Sequence, residues 1–242
     1  MKRLCMIALA LALTSMGCSR RAAAPPGPQP TAFGTALVEV SGGKQVTQAG
    51  MTLEQPVTVQ VNDADGNGVA GAGVVFQGPP GTTFAPDRGI TDSSGQFSSV
   101  VTLGDLARRY QITATTKNKG GQTISLALEE IALGYQQTLG RELNRQYCDR
   151  CHDPESTPER VSNLDNLVAK PHPFTEGETL NKITDADLVA IISHGGPALG
   201  KSAEMPAYGY TLSPHEIQAL LSYIRAVSDP PYRAKRTVKE GE

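Results

Sequence analysis

The sequence contains no tryptophan, only four cysteines and no long run of charges of one sign. Its 242 residues carry a formal net charge of −2, so nothing in the composition points to nucleic acid or to an acidic lipid surface as a partner. Turn-forming residues are plentiful, with 25 glycines and 17 prolines. This composition favours turn-rich β structure over a helical bundle, and the chain is long enough for two modest domains.

The first residues have the pattern of an export signal. Lys2 and Arg3 give the segment a basic start, and an apolar run follows from Leu4 to Met16. This run is too short to span a bilayer as a helix, so we expect residues 1–17 to be removed during export.

The leader ends at a small residue followed by cysteine, Gly17-Cys18. Here the sequence resembles bacterial lipoproteins, in which the signal peptide is cut before the cysteine and the cysteine is acylated. The resemblance implies a lipid anchor at Cys18 and a Pro- and Ala-rich tether over residues 18–34. The residue after this cysteine is Ser19 and not aspartate, which resembles the pattern of lipoproteins sent to the outer membrane. We therefore expect an envelope protein that faces the periplasm or the cell surface. An ordinary secretory leader with a nearby cysteine is the alternative.

The cysteines have few possible uses. Cys5 lies in the leader and Cys18 takes the lipid, which leaves only Cys148 and Cys151. A framework of several disulfides is therefore excluded for the exported domains, although an oxidising compartment would permit one. The two remaining cysteines could still pair with each other.

Residues 35–131 carry β signals throughout. Val57, Val59 and Val61 alternate with polar residues, and turn clusters rich in Asp, Asn, Gly and Pro separate further β-rich runs. About seven short strands at this spacing predict an all-β sandwich.

Three motifs follow one another in this region, beginning at Val61, Thr91 and Tyr110. They read Val-x-Asp-x-x-Gly-Asn-x-Val-x-Gly-x-x-Val-x-Phe, Thr-Asp-x-x-Gly-Gln and Tyr-x-Ile-Thr-Ala-Thr. In this order they resemble bacterial immunoglobulin-like domains of the adhesin and surface-protein type. The resemblance covers nearly all of residues 35–131.

One turn in this region partly matches a calcium loop. Asp63, Asp65, Asn67 and Gly68 fit the first half of an EF-hand loop, but Val74 stands where its bidentate glutamate belongs. Predicted strands, rather than helices, flank the segment. A hairpin turn is the better interpretation, and we expect no calcium there.

After residue 131 the periodicity becomes helical. Tyr135, Leu139, Leu143 and Tyr147 recur every four residues and predict a helix that leads into Cys148. A second predicted helix starts at a cap formed by Thr184-Asp-Ala-Asp, with Leu188, Ile191 and Ile192 turned inward.

The last predicted helix has the clearest start. Ser213-Pro214-His215-Glu216 combines an N-cap serine, proline at the first helical position and glutamate at the third. Apolar residues then recur at helical spacing until Pro230, which cannot continue the helix. We predict a small all-α domain over residues 132–230 and a polar tail over residues 231–242, so the fold class is multidomain, all-β followed by all-α.

The pentapeptide Cys148-Asp149-Arg150-Cys151-His152 has the spacing of a c-type haem attachment site. Its two thiols can add to the vinyl groups of one haem, and the adjacent His152 can bind the iron from the proximal side. A thioredoxin-like redox pair should follow a strand, whereas this motif ends a predicted helix. Half of a zinc site would need further ligands, and no other cysteine remains.

The sixth ligand of the iron has several candidates. Met205 is the one methionine downstream of the haem motif, and it lies in a predicted loop before the last helix. A loop methionine can also serve only to fill space. His172, His194 and His215 compete with Met205, and each would give an iron ligated by two histidines.

The helical region resembles a class I c-type cytochrome. Gly140 stands where that family places a glycine for the crossing of its first and last helices, and Leu220 and Tyr223 match its Leu-x-x-Tyr. The resemblance implies one covalent haem c held by Cys148 and Cys151, with His152 as proximal and Met205 as distal iron ligand. Asn144 departs from the pattern, because the family commonly has an aromatic residue there. Tyr135, Leu143 and Tyr147 are the candidates to fill that volume.

These resemblances imply a membrane-anchored carrier of single electrons rather than an enzyme, working with redox partner proteins of the cell envelope. The immunoglobulin-like domain would serve as a spacer or docking module. Two alternatives remain open. One is the haem subunit of an envelope oxidoreductase or a peroxidase-type enzyme, and the other is an adhesin or structural protein with an accessory haem.

Overall fold

The computed structural model describes residues 29–153, 163 and 166–234. The predicted leader, Cys18 and most of the tether and of the polar tail lie outside the described residues. Within the described part of the chain, no helix combines the length and apolarity that crossing a membrane requires.

The first half of the described chain is a sandwich of two β-sheets. One sheet has the strand order β1-β3-β7-β5 and the other β2-β9-β8-β4-β6. The bounds of the nine strands are as follows: β1 Ala36–Ser41, β2 Val46–Gln48, β3 Val57–Asn62, β4 Gly73–Gln77, β5 Thr83–Ala85, β6 Arg88–Ile90, β7 Gln96–Thr102, β8 Arg108–Lys117 and β9 Thr123–Leu133.

The strand order is that of an immunoglobulin-like sandwich. The antiparallel set β9-β8-β4 corresponds to the G-F-C strands of that architecture, and β1-β3-β7 corresponds to A-B-E. β2 runs parallel to β9, pairing Val46 with Ile131. The predicted alternation of β3 is observed, since Val57, Val59 and Val61 are all fully buried between the sheets.

Three of the nine strands have no counterpart in the sequence prediction. β2, β5 and β6 have three residues each, which is too few for an alternating pattern to be recognised. β9 also continues to Leu133, beyond the predicted limit at residue 131. It therefore leads almost directly into the first helix.

The turn that resembles the first half of a calcium loop is held by hydrogen bonds between its own residues. Asp63 Oδ1 accepts the backbone N–H groups of Asp65 and Asn67 at 2.9 and 2.8 Å. These bonds, led by the one from Asn67, lower the pKa of the Asp63 carboxyl. The segment is thus a side-chain-stabilised turn joining β3 to β4.

The second half of the described chain is helical. It contains α1 (Tyr135–Tyr147), α2 (Asp149–His152), α3 (Gly177–Leu180), α4 (Asp185–His194) and α5 (Pro214–Val227), with a 3-10 turn at Gly196–Leu199 between α4 and α5. The Thr184 hydroxyl caps α4 by accepting the Asp187 N–H at 3.1 Å. The Ser213–Glu216 capping box of α5 forms as predicted, with both reciprocal bonds present.

Gly140 allows α1 and α5 to cross closely. A Cβ added at Gly140 would lie 2.7 Å from the Cβ of Tyr223 and would also collide with the Ala219 carbonyl. Leu143 from α1 and Leu220 from α5 are buried in the core around this crossing. The glycine is required there because two backbones need the space of its missing side chain.

The two halves contact each other through two arginines. Arg109 of β8 donates to the carbonyls of Ala226 and Ser228, at 3.1 and 2.5 Å, where α5 ends. It also forms an ion pair with Glu129 of β9. Arg141 of α1 donates to the Val46 carbonyl of β2 at 3.0 Å. The sandwich therefore packs against the α1–α5 side of the helical unit.

Candidate functional site

The end of α1 sets the position of the predicted haem-attachment motif. Cys148 caps the helix, and its N–H donates to the Asn144 carbonyl at 2.8 Å. The Cys148 carbonyl then accepts the N–H groups of Cys151 and His152, each at 3.0 Å. This tight turn forms α2 and brings both thiols and the imidazole to the wall of one cavity.

That cavity has a volume of about 440 Å³ and is lined mainly by apolar side chains. Cys148, Cys151, His152 and Met205 all line it. The remaining wall includes Leu188, Ile191 and Ile192 from α4 and Leu220 and Ile224 from α5. A pocket of this size, apolar and with few polar groups, is typical of sites that bury a cofactor.

The residues present fit a covalently attached haem. Both cysteines are free thiols on the cavity wall, so they are available for thioether bonds. An imidazole and a thioether sulfur, the donors that a low-spin haem iron takes in cytochromes, line the same space. The apolar wall suits the faces of a large aromatic ring.

His152 is held in the orientation that a metal ligand needs. Its Nδ1 lies 2.8 Å from the backbone carbonyl of His172, and because a carbonyl only accepts, the proton is on Nδ1. The Phe174 ring packs 4.8 Å from the imidazole, centroid to centroid. Nε2 therefore keeps its lone pair for a metal.

Burial controls the protonation of these groups. It lowers the pKa of His152, against the raising effect of the His172 bond, and so favours the neutral imidazole that binds metals. Burial, followed by the charges of Asp149 and Cys151, raises the pKa of the Cys148 thiol to about 12.

The raised pKa of the Cys148 thiol disfavours a thioredoxin-like use of the motif. Disulfide exchange depends on a thiolate, and reactive Cys-x-x-Cys pairs accordingly have lowered pKa values. A zinc site would need ligands beyond the two cysteines. Among the described residues, no group of three or more His, Cys, Asp or Glu side chains is placed to hold a metal ion.

Met205 lies in the loop between the 3-10 turn and α5 and is half-buried against the helical core. Its carbonyl accepts the Gly196 N–H at 3.1 Å, and Gly195 makes the turn that precedes this contact with φ at +81°. Glycine is suited to that φ, and its Cα faces the Met205 backbone at close range. The C-terminal end of α4 thus holds the loop in place.

Tyr208 fastens the same loop to the end of α1. Its N–H donates to the Ile192 carbonyl and its hydroxyl to the Tyr147 carbonyl, both at 2.9 Å. The Tyr147 and Tyr208 rings also meet edge to face, 6.0 Å apart, on the cavity wall. Sequence reasoning missed Tyr208, although its position three residues after Met205 placed it in the same loop.

The competing histidines have different surroundings. His194 and His215 are exposed and are not among the residues that line the cavity, and His215 Nε2 bonds Gln136 at 2.7 Å. His172 does line the cavity, but its carbonyl bonds His152 and its Nδ1 bonds Glu176 Oε2 at 2.9 Å. Of the four candidates, Met205 and His172 line the cavity, and His172 lies on the side of the His152 ring away from Nε2, because its carbonyl bonds Nδ1 there.

Asn144 marks a local mismatch in the packing. Its Oδ1 is buried and has no hydrogen-bond partner among the described residues. Of the residues expected to fill the missing aromatic volume, Leu143 is buried in the helical core and Tyr147 lines the cavity. Tyr135 is 80% exposed and does not serve this purpose.

A comparison with protein families matches residues 136–224 to the family described as "Cytochrome C oxidase, cbb3-type, subunit III". The match covers the helical unit and leaves the sandwich outside. The helical unit therefore matches a cytochrome c domain, a type of domain that carries covalently bound haem c and works in electron transfer. No curated relative matches the chain.

Solved structures give weaker similarities. The D0-D1 domain of intimin matches with a TM-score of 0.31 and 17% identity, over 43% of this chain and 50% of that one. The Yersinia pseudotuberculosis adhesin InvE matches with a TM-score of 0.32 and 15% identity, over 40% of this chain and 32% of that one. Fibronectin(III)-like modules of Clostridium thermocellum CbhA match with a TM-score of 0.26 and 13% identity, over 40% of this chain and 94% of that one. The chain spans half of the intimin fragment. The sandwich is called immunoglobulin-like because of its strand order and not because of these similarities.

Proposed function

We propose that this protein is a membrane-anchored c-type cytochrome that transfers single electrons through one covalently bound haem. Cys148 and Cys151 would hold the haem, with His152 as proximal and Met205 as distal iron ligand. The observation that carries the proposal is that these four side chains, from two distant parts of the chain, line one apolar cavity of about 440 Å³. The cytochrome c match of residues 136–224 supports it independently.

When bound, the haem supplies one-electron exchange between ferrous and ferric iron. The residues of the protein would orient the two iron ligands and enclose the haem. The His172 carbonyl holds the His152 ring so that Nε2 is presented to the cavity, and Tyr208 and Gly196 hold the Met205 loop. Ligation of the iron by both His152 and Met205 would leave no open position for oxygen or peroxide, which favours a carrier over a peroxidase-type enzyme.

The surroundings favour a moderate to high reduction potential. A thioether ligand stabilises ferrous iron relative to a second imidazole, and an apolar wall disfavours the extra charge of the ferric state. The cavity wall contains Leu188, Ile192 and Ile224, and Phe174 covers the His152 ring. Such a centre suits acceptance of electrons from a donor of lower potential.

The sandwich would carry the cytochrome away from a lipid anchor at Cys18 and present it to redox partners of the envelope. Support for the anchor comes from the Gly17-Cys18 junction of the leader. The contacts of Arg109 and Arg141 make the sandwich a support with a defined orientation rather than a loose spacer.

The decisive experiment compares reduced-minus-oxidised spectra of wild type, Met205→Ala and Met51→Ala. Met51 is a suitable control because it lies in the sandwich and is 55% exposed. We expect wild type and the control to show the far-red sulfur-to-iron band, and Met205→Ala to lose it. Its reduction potential should fall by roughly 0.1–0.2 V, a fraction of the roughly 0.8 V over which axial ligands tune haem iron.

An unchanged spectrum in Met205→Ala would assign the sixth position to another residue. A haem-to-protein ratio other than one, measured as pyridine haemochrome, would contradict the single covalent haem. Loss of bound haem from a Cys148→Ala, Cys151→Ala variant is the matched test of attachment.

A further inference from the structure

The carboxylate of Glu204 joins two loops that both line the cavity. Its Oε1 accepts the backbone N–H of Val168 and its Oε2 that of Ala169, each at 3.2 Å. The Ser202 hydroxyl donates to Oε2 at 3.1 Å and accepts the Glu204 N–H at 3.2 Å, which fixes the carboxylate toward the other loop. Both N–H groups point to one anion, so the bonds are charge-assisted.

One of these loops leads to the proposed distal ligand, and the other leads to the group that orients the proposed proximal ligand. Met205 follows Glu204 immediately in the chain. On the other side, the segment from Val168 leads to His172, whose carbonyl holds the Nδ1 proton of His152 at 2.8 Å. Four residues of these two loops line the cavity: Ala169, His172, Glu204 and Met205.

The other attachments of the Met205 loop run to different elements. Gly196 and Ile192 tie it to the end of α4, and Tyr147 ties it to the end of α1. The hydrogen bonds of Glu204 tie this loop to the segment that holds His152. Losing them would leave the loop attached to the helices but no longer bonded through Glu204 to that segment.

We propose that Glu204 is a positioning residue, a latch that holds the Met205 loop against the segment from Val168 to His172 and so keeps the thioether on the iron. This inference rests on the proposed function, since it presumes ligation by Met205. The latch limits how often Met205 leaves the iron, and it thereby controls access of external ligands to the distal side.

The test uses the full-length holoprotein and measures the rate at which ferric haem binds added imidazole. Met205 must leave before imidazole can bind, so the rate reports how often the loop opens. We expect Glu204→Ala to accelerate binding about tenfold, because both charge-assisted bonds are lost. Glu204→Gln, which keeps one acceptor oxygen, should fall between Glu204→Ala and wild type.

A second variant breaks the latch from the other side without changing any charge. Val168→Pro removes the N–H that donates to Glu204 Oε1, and the Val168 side chain is 93% exposed, so little packing is lost. Val168→Ala keeps the N–H and serves as its control. Glu178→Gln, at an exposed position of α3, controls for the loss of a negative charge in the same unit.

Three outcomes are distinguishable. Faster imidazole binding in Glu204→Ala and Val168→Pro, with wild-type rates in both controls, supports the latch. Wild-type rates in Glu204→Ala and Val168→Pro, with the far-red band present, overturn the latch and leave ligation by Met205 intact. Absence of that band from the wild-type protein overturns both proposals. Haem content and far-UV circular dichroism confirm that each variant is folded.

Discussion

The two halves of this molecule complete their cores in different ways. The sandwich fills the space between its sheets with its own side chains, and Val57, Val59, Val61, Tyr110 and Ile112 are all fully buried there. The helical unit instead encloses a cavity of about 440 Å³ between α1, α4, α5 and two loops. One half has a core of polypeptide alone, whereas the other leaves a space large enough for a bound group.

The polar groups of the two interiors differ in the same way. In the helical unit, His152 and both cysteines line the cavity. In the sandwich, the buried Glu130 carboxyl lies on β9, and among the described residues only its Oε2 is bonded, to the Gln45 N–H at 2.6 Å. Polar groups thus face an open cavity in one half, whereas in the other a carboxyl is enclosed with one oxygen unpaired.

The largest expected effect comes from removing the haem. In the full chain, Cys148→Ala combined with Cys151→Ala should leave the sandwich folded but make the helical unit sensitive to protease, because an unfilled cavity of this size costs several kcal/mol, on the order of 5 or more. Limited proteolysis with mass mapping of the fragments checks this. Cleavage spread equally over both halves would contradict the separation of the two cores.

A smaller effect is expected at Glu130. Burial, opposed by the Gln45 bond and reinforced by the nearby Glu39 and Glu129 charges, raises the pKa of its carboxyl to about 8 from the ordinary 4.5. Between pH 4.5 and pH 8, the folded state therefore keeps a proton on this carboxyl, whereas the unfolded state has released it. Stability from this group is fully present below about pH 4.5 and declines as the pH rises toward 8.

Glu130→Gln should remove this decline, since the amide does not ionise. We compare the free energy of unfolding of the variant with that of wild type at each pH. The difference should favour the variant at pH 8.5 by on the order of 2 kcal/mol more than it does at pH 5. Thermal unfolding followed at both pH values measures the gain. Equal pH dependence in the two proteins would show that Glu130 does not titrate in this range.

The smallest effect concerns the contact between the halves. Arg109→Ala should cost about 1 kcal/mol, because it removes two bonds to carbonyls where α5 ends, and it should loosen the halves relative to each other. Arg108→Ala is the matched control, since Arg108 is exposed and lies over the Tyr110 ring. Small-angle scattering and the haem spectrum together test this. A wild-type scattering profile in Arg109→Ala would show that the arginine does not orient the halves.

Much of the fold could be predicted because its signals are local. The Ser213–Glu216 cap and the spacing behind it predicted α5, and the alternation at Val57, Val59 and Val61 predicted β3. The three-residue strands such as Val46–Gln48 could not be predicted, since their pairing with distant strands, and not their own pattern, makes them strands.

The candidate site divides along the same line. Sequence alone determined the haem motif at Cys148–His152 and reduced the distal ligand to Met205 and three histidines, because chemistry at fixed spacing is written in a few neighbouring residues. Only the tertiary structure decided that the His172 carbonyl orients His152 and that Glu204 bonds the backbone of Val168 and Ala169. A backbone carbonyl has no residue-specific signature, and a contact between residues 36 positions apart exists only once the chain has folded.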